Sequence, residues 1–159
     1  MKKLMAVILT MVLLCGCAAV QAPEPLPTAA EPVDVIGVYS QLEAVGLPSM
    51  LDMAADMQLN IYGIRAEDVK QSKVVVCTDG LRADEIWLIE AVDEAAAAKI
   101  KGLAESRIKQ KDAESITYSP EQNVIVKKSV VETVGRYVYF ICSPDVDALV
   151  SVAQTAFGK

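Results

Sequence analysis

Apolar residues at Val35, Val38, Tyr39, Leu42 and Val45 recur at helical spacing, behind Asp34 as an N-cap and ahead of Gly46 and Pro48 as stop signals. The spacing predicts a helix over 34–45. A second helical stretch is expected over 49–62, ending at Tyr62-Gly63, and Ala66 to Val69 suggests a short helical turn. The period then changes. Lys73 to Thr78 reads as a strand built on Val74, Val75 and Val76, Asp79-Gly80 opens a turn that runs to about Asp84, and Glu85 to Val92 reads as the strand that completes a hairpin.

Asp93 is placed to cap a helix from Glu94 to about Asp112, where Ala95 to Ala98 raise helix propensity and Ala96, Ile100, Leu103, Ala104 and Ile108 form the apolar stripe. Lys101, Glu105 and Lys109 lie opposite, at i, i+4 spacing, as a solvated face. After a turn at Ser119-Pro120-Glu121, a third strand is expected over 124–134, opening on Val124-Ile125-Val126. Gly135-Arg136 turns the chain into a fourth, Tyr137 to Cys142. Ser143 then reads as the cap of a last helix with Pro144 at its first position, a stripe of Val146, Leu149, Val150, Ala153 and Phe157, and Gly158 at its end.

Strand, strand, helix, strand, strand, helix makes two ββα units. The expected class is α+β, a four-stranded, mainly antiparallel sheet with both amphipathic helices on one face and an N-terminal helical segment. A sheet with one wet face alternates apolar and polar residues, yet Ile86-Trp87-Leu88-Ile89 and Tyr137-Val138-Tyr139-Phe140-Ile141 are apolar on both sides. Something covers the second face: either residues 34–62 fold over it, or a partner docks there on Trp87, Tyr137 or Tyr139 as anchors.

The chain start follows a different pattern. Lys2 and Lys3 precede an apolar stretch from Leu4 to Leu14, and Leu14-Cys15-Gly16-Cys17 has the aliphatic, small, small, Cys order of a lipoprotein cleavage and acylation signal. The stretch falls short of the roughly 20 apolar residues that span a bilayer. Residues 1–16 are therefore expected to be removed, with Cys17 as the lipidated residue and the membrane anchor. Residues 17–33 then form a Pro/Ala-rich tether with Pro23, Pro25, Pro27 and Pro32, able to extend on the order of 50 Å. Residues 34–159 form one domain. An extracytoplasmic protein, held on the outer face of the cytoplasmic membrane, is expected.

Charge and residue counts narrow the chemistry. The formal charge of −6 becomes −8 once Lys2 and Lys3 are removed, which argues against nucleic acid as a partner. The sequence has no histidine, which removes Ser-His-Asp and Cys-His catalysis and the commonest zinc ligand. Beyond Cys17, Cys77 and Cys142 lie in apolar strand-like runs without a C-x-x-C pair; they read as buried free thiols, or as one disulfide if their strands are neighbours. Met50, Met53 and Met57 fall on one helical face, and soft sulfur ligands select copper(I), but with no His or Cys nearby that face reads as core packing. Asp79, Asp84, Glu85 and Glu90 lack the spacing of a calcium loop and read as solvated charges on loop and strand edges. No metal or cofactor is indicated.

Three short segments carry a resemblance. Ala83-Asp84-Glu85-Ile86, Tyr118-Ser119-Pro120-Glu121-Gln122 and Gly135-Arg136-Tyr137-Val138, in that order behind the lipoprotein signal, are similar to a family of Firmicutes lipoproteins catalogued as domain of unknown function 4358. Arg136 stands where that family would lead one to expect Asn. The resemblance implies an extracytoplasmic lipoprotein of a Gram-positive bacterium and brings no catalytic residues with it. The expected role is a non-enzymatic binding or accessory module of the cell envelope that meets an envelope protein. The alternative is a receptor for a small ligand, such as a peptide, a metal or a cell-wall fragment, serving a transporter.

Overall fold

A computed structural model describes residues 32–158. The lipoprotein signal, Cys17 and nearly all of the tether lie outside the described residues. Asp34 and Asp93 cap their helices as their positions suggest. Asp34 accepts the N–H of Ile36 at 3.0 Å and opens α1 (Val35–Gly46); Asp93 accepts that of Ala96 at 2.7 Å and opens α3 (Glu94–Tyr118). The last helix, α5 (Val146–Phe157), ends at Gly158 as expected.

Five strands, not four, make the sheet: β1 (Met50–Asp52), β2 (Val69–Cys77), β3 (Glu85–Ala91), β4 (Val130–Val134) and β5 (Tyr137–Cys142). Their order is β1-β2-β3-β5-β4, with every neighbour antiparallel. The fold is α+β. The extra strand replaces the first half of the helix expected over 49–62. Pro48 breaks regularity, and Met50, Leu51 and Asp52 pair with Cys77, Val76 and Val75 along the free edge of β2. Only Ala55–Tyr62 is helical, as a short α2 (Ala55–Met57) running into a π turn (Gln58–Tyr62) that stops at Gly63, whose φ of 77° suits a residue without a Cβ. Met50 consequently packs on one side of the sheet, while Met53 and Met57 pack on the other. The three thioethers share no face, so the copper reading loses its geometry.

The third expected strand is also shorter. Val124-Ile125-Val126 belongs to α4 (Pro120–Val126), with Pro120 in its first turn. β-branched residues favour strands, but Asn123 and Val126 are buried one helical turn apart. Asn123 Nδ2 also donates to Asp112 O, Asp112 Oδ1 and Ser115 Oγ of α3, which ties the two helices together. Packing decides where propensity alone would err. Ser143 is corrected as well: α5 starts at Val146, and the buried Ser143 hydroxyl donates to Asp84 and accepts the N–H of Asp145.

The two helices do not share a face. Trp87, Ile89, Val74, Val138 and Phe140 point to one side, where α3, α4 and Tyr62 cover them. Ile86, Leu88, Val75, Tyr139 and Ile141 point to the other, beneath α1 and α5. The two-residue period explains why β3 and β5 are apolar throughout: each is roofed on both faces, and a fully buried large side chain there contributes about 1.5–3 kcal/mol. Cover for the second face therefore comes from α1, within the segment expected to supply it, together with α5.

Cys77 and Cys142 are free thiols on β2 and β5, with β3 between them. Two strand spacings put their backbones about 10 Å apart, beyond the roughly 7 Å that a disulfide tolerates. Non-reducing proteolysis with mass spectrometry is expected to find no peptide joining them; a crosslinked pair would overturn this register.

Candidate functional site

The start of β3 breaks the strand's apolar pattern. Glu85 sits two residues before Trp87 and so on the same face, roofed by α3. Along α3 the buried stripe of Ala96, Ala97, Ile100 and Ala104 continues, at helical spacing, into Arg107 and Lys111. The helix thus turns from apolar to cationic where it passes over Glu85. It also runs to Tyr118, beyond the expected end at Asp112, and α4 folds back against it.

Glu85 has no solvent exposure. Its carboxylate accepts Arg107 Nε at 3.1 and 3.2 Å, Arg107 Nη2 at 3.0 Å, Lys111 Nζ at 2.9 Å and the Trp87 indole N–H at 2.9 Å. The Arg107 guanidinium also lies over the Tyr62 ring, 5.4 Å from its centroid, and Tyr62 packs on Trp87 at 4.7 Å. Burial alone would raise the Glu85 carboxyl; the charges of Lys111 and Arg107 and their hydrogen bonds outweigh it and hold Glu85 below its ordinary 4.5. For Arg107, burial pulls the guanidinium down but Glu85 more than restores it, so it sits above its ordinary value. Burial, with Glu85 nearby, pushes the Tyr62 hydroxyl up.

A pH dependence follows. The folded value of Glu85 is depressed, so its contribution to stability is present above the ordinary carboxyl range and is lost as pH falls through the folded value. Urea midpoints are expected to change little from about pH 8 to about pH 5 and to fall below about pH 4. A midpoint that rises on acidification would contradict the buried ion cluster.

A cleft of about 460 Å³ opens above this cluster. One wall is the β2–β3 loop from Gly80 to Asp84, the other the end of α3 and the start of α4 from Glu114 to Gln122, and Tyr62 and Ile61 close one end. Three hydrogen bonds brace the β2–β3 loop, one of them across to α4. Gln122 Oε1 accepts the N–H of Ala83 at 2.9 Å, and Asp84, also buried, takes Arg82 Nε at 3.0 Å and the Ser143 hydroxyl at 3.2 Å. Leu81 and Tyr118 stand at the rim, 80% and 89% exposed.

Glu90, the other buried carboxylate of β3, has a different task. It accepts Gln71 Nε2 and Arg136 Nε, each at 2.6 Å, with Lys70 at 3.7 Å. Gln71 also holds Val33 O and the N–H of Val35, and the Tyr137 hydroxyl accepts the N–H of Val33. This network fastens the beginning of the described chain to the sheet. Five residues of strand, about 17 Å, separate it from Glu85. Asp84, Glu85 and Glu90 are therefore buried and paired, not the solvated edge charges expected; Asp79 alone of the four is exposed.

The proposed anchors are dispersed. Trp87 and Tyr139 are fully buried on opposite faces, and Tyr137 is half-buried, stacked on Phe157 at 5.3 Å. Trp87 and Tyr139 present no aromatic surface, because the chain's own helices already cover them on the two faces of the sheet. Cys77 borders the cleft, while Cys142 lies in the core. Among the described residues no helix is long and apolar enough to cross a membrane.

A family model described as a domain of unknown function, DUF4358, matches residues 43–143. The chain belongs to this family. The DUF4358 segment contains all five strands, α3, α4 and every residue of the cleft; it leaves out α5 and most of α1. No curated protein and no solved structure matches the chain. Within DUF4358, two of the three short segments that carry the resemblance meet here: Ala83, Asp84 and Glu85 face Tyr118, Ser119 and Gln122 across the cleft. The third supplies Arg136 to Glu90, which gives a role to the arginine in the turn after Gly135.

Proposed function

We propose that this DUF4358 protein is a lipid-anchored, extracytoplasmic, non-enzymatic receptor for a small ligand, bound in the cleft between the β2–β3 loop and the α3–α4 corner. The observation that carries the reading is the cleft itself: about 460 Å³, in the range of small-molecule sites, with a buried charge cluster for a floor and apolar side chains at its rim. Binding rather than catalysis is favoured because Glu85, Arg107 and Tyr62 are all displaced away from neutrality, where a general acid or base works best.

A protein partner in the envelope is the second reading, and the exposure of Leu81 and Tyr118 favours it. Both readings use the same cleft; small-molecule pools separate them, and a blocking substitution ties any response to the cleft. Gly80 lines the cleft and a Cβ there meets nothing within 4 Å, so Gly80→Trp adds bulk to the lining without a clash at the backbone. Thermal unfolding against pools of short peptides, organic acids and cell-wall fragments is expected to show a raised midpoint for the wild type and none for Gly80→Trp. A flat response from the wild type, or an equal one from the variant, would sink the small-ligand reading and leave the protein partner.

A further inference from the structure

The charges around the cleft define what it selects. Arg107 and Lys111 share one carboxylate, so the floor carries one positive charge more than Glu85 neutralises. Arg82 and Asp84 cancel each other. Glu114 is the remaining charge on the lining; it lies more than half exposed at the rim, 4.0 Å from Arg107 Nη1, too far for a hydrogen bond. Donors remain on the cations. Lys111 spends one of its three N–H groups on Glu85, and Arg107 Nη1 reaches only Gln110 at 3.2 Å. Both side chains retain a small exposed surface, 17% and 11%. A ligand carboxylate would make the hydrogen-bonded contact with Arg107 that Glu114, an ion pair at 4.0 Å from the rim, does not, whereas a phosphate dianion would overshoot the one charge that Glu85 leaves over.

The rest of the cleft describes the ligand's body. Ile61, Leu81 and Tyr118 offer exposed apolar surface that no chain segment among the described residues covers, and Gln122 Nε2 donates to nothing there. Resting on the small-ligand reading above, we propose that the cleft binds an organic carboxylate on an apolar body, the carboxylate seated between Arg107 and Lys111 and the body against Tyr118 and Leu81. Two sources share this chemistry: the carboxyl end of a short peptide and an alkanoic acid.

Calorimetric titration of the purified protein tests it with three probes: acetyl-dialanyl-phenylalanine, its carboxamide, and octanoate. At least one acid is expected to bind, and the acid that binds tighter identifies the source. The peptide acid, where it binds, does so at least tenfold more tightly than its amide. Lys111→Gln leaves Glu85 its fork from Arg107, and is expected to weaken the acid at least tenfold with little change in the folded far-UV spectrum; Lys111→Arg restores binding. Glu114→Gln is expected to tighten the acid at least twofold. Movement in opposite directions from two neighbouring positions is something a merely structural role would not give. Equal binding of acid and amide would overturn the carboxylate. So would failure of both acids while another pool still stabilises the wild type and spares Gly80→Trp, and in that case the receptor reading stands. Failure of every pool would remove both.

Discussion

Glu85→Gln is expected to cost about 3–5 kcal/mol of folding stability, the range for removing one member of a buried ion group. The reason is what stays behind. Arg107 and Lys111 would face each other over a neutral amide, with the surrounding elements fixed by α3 on one side and the sheet on the other. Against a total stability of about 5–15 kcal/mol for an ordinary domain, that loss is large. The combined variant Glu85→Leu, Arg107→Leu and Lys111→Met removes all three charges together and is expected to recover most of the loss, since apolar replacement of a whole buried ion group is often neutral. Urea denaturation of both variants measures it. A single variant as stable as the wild type would mean that Glu85 is not the buried anion described here.

Trp87→Ala is expected to cost a similar amount, about 3–5 kcal/mol, for a different reason. Trp87 is fully buried, packs edge-on against Phe140 at 5.4 Å and tilted against Tyr62 at 4.7 Å, and its N–H satisfies Glu85. Its removal leaves a cavity at the centre of the sheet and takes a donor from the carboxylate. Loss of cooperative thermal unfolding is the expected observation. If Trp87→Ala instead folded normally and lost only a binding partner, Trp87 would be the docking anchor that its sequence context suggested.

The parts of the fold legible in the sequence are those whose signal is local. Asp34 and Asp93 cap helices through carboxylates two and three residues from the N–H groups that donate to them, and α5 follows a stripe that buries Val146, Leu149, Ala153 and Phe157. The need for cover on both faces was legible as well, in the unbroken apolar runs of β3 and β5. What covers them was not, because a helix stripe does not say which side of a sheet it meets. β1 and α4 were missed for the complementary reason: three residues at a sheet edge, and three β-branched residues after a proline, take their form from β2 and from α3.

The cleft was the least legible feature. Glu85 read as a solvated strand-end charge because its partners lie 22 and 26 residues away on another element. A usable signal was nevertheless present. Arg107 and Lys111 continue the buried spacing of Ile100 and Ala104 and do not join Lys101, Glu105 and Lys109 on the polar face. Cations on the apolar stripe of an amphipathic helix ask for a buried anion opposite, and Glu85, heading a strand with no other charge before Glu90, is the residue to test first.

The measurement that tests the account most directly is an amide NMR titration of the wild-type protein with the pools that raise its melting temperature. Shifts are expected to be confined to residues 80–85 and 107–122 and to the Tyr62 turn, with the Glu90, Arg136 and Tyr137 end and the α1–α5 face unmoved. Shifts concentrated at that far end or on that face would contradict it and place the working surface elsewhere on the fold.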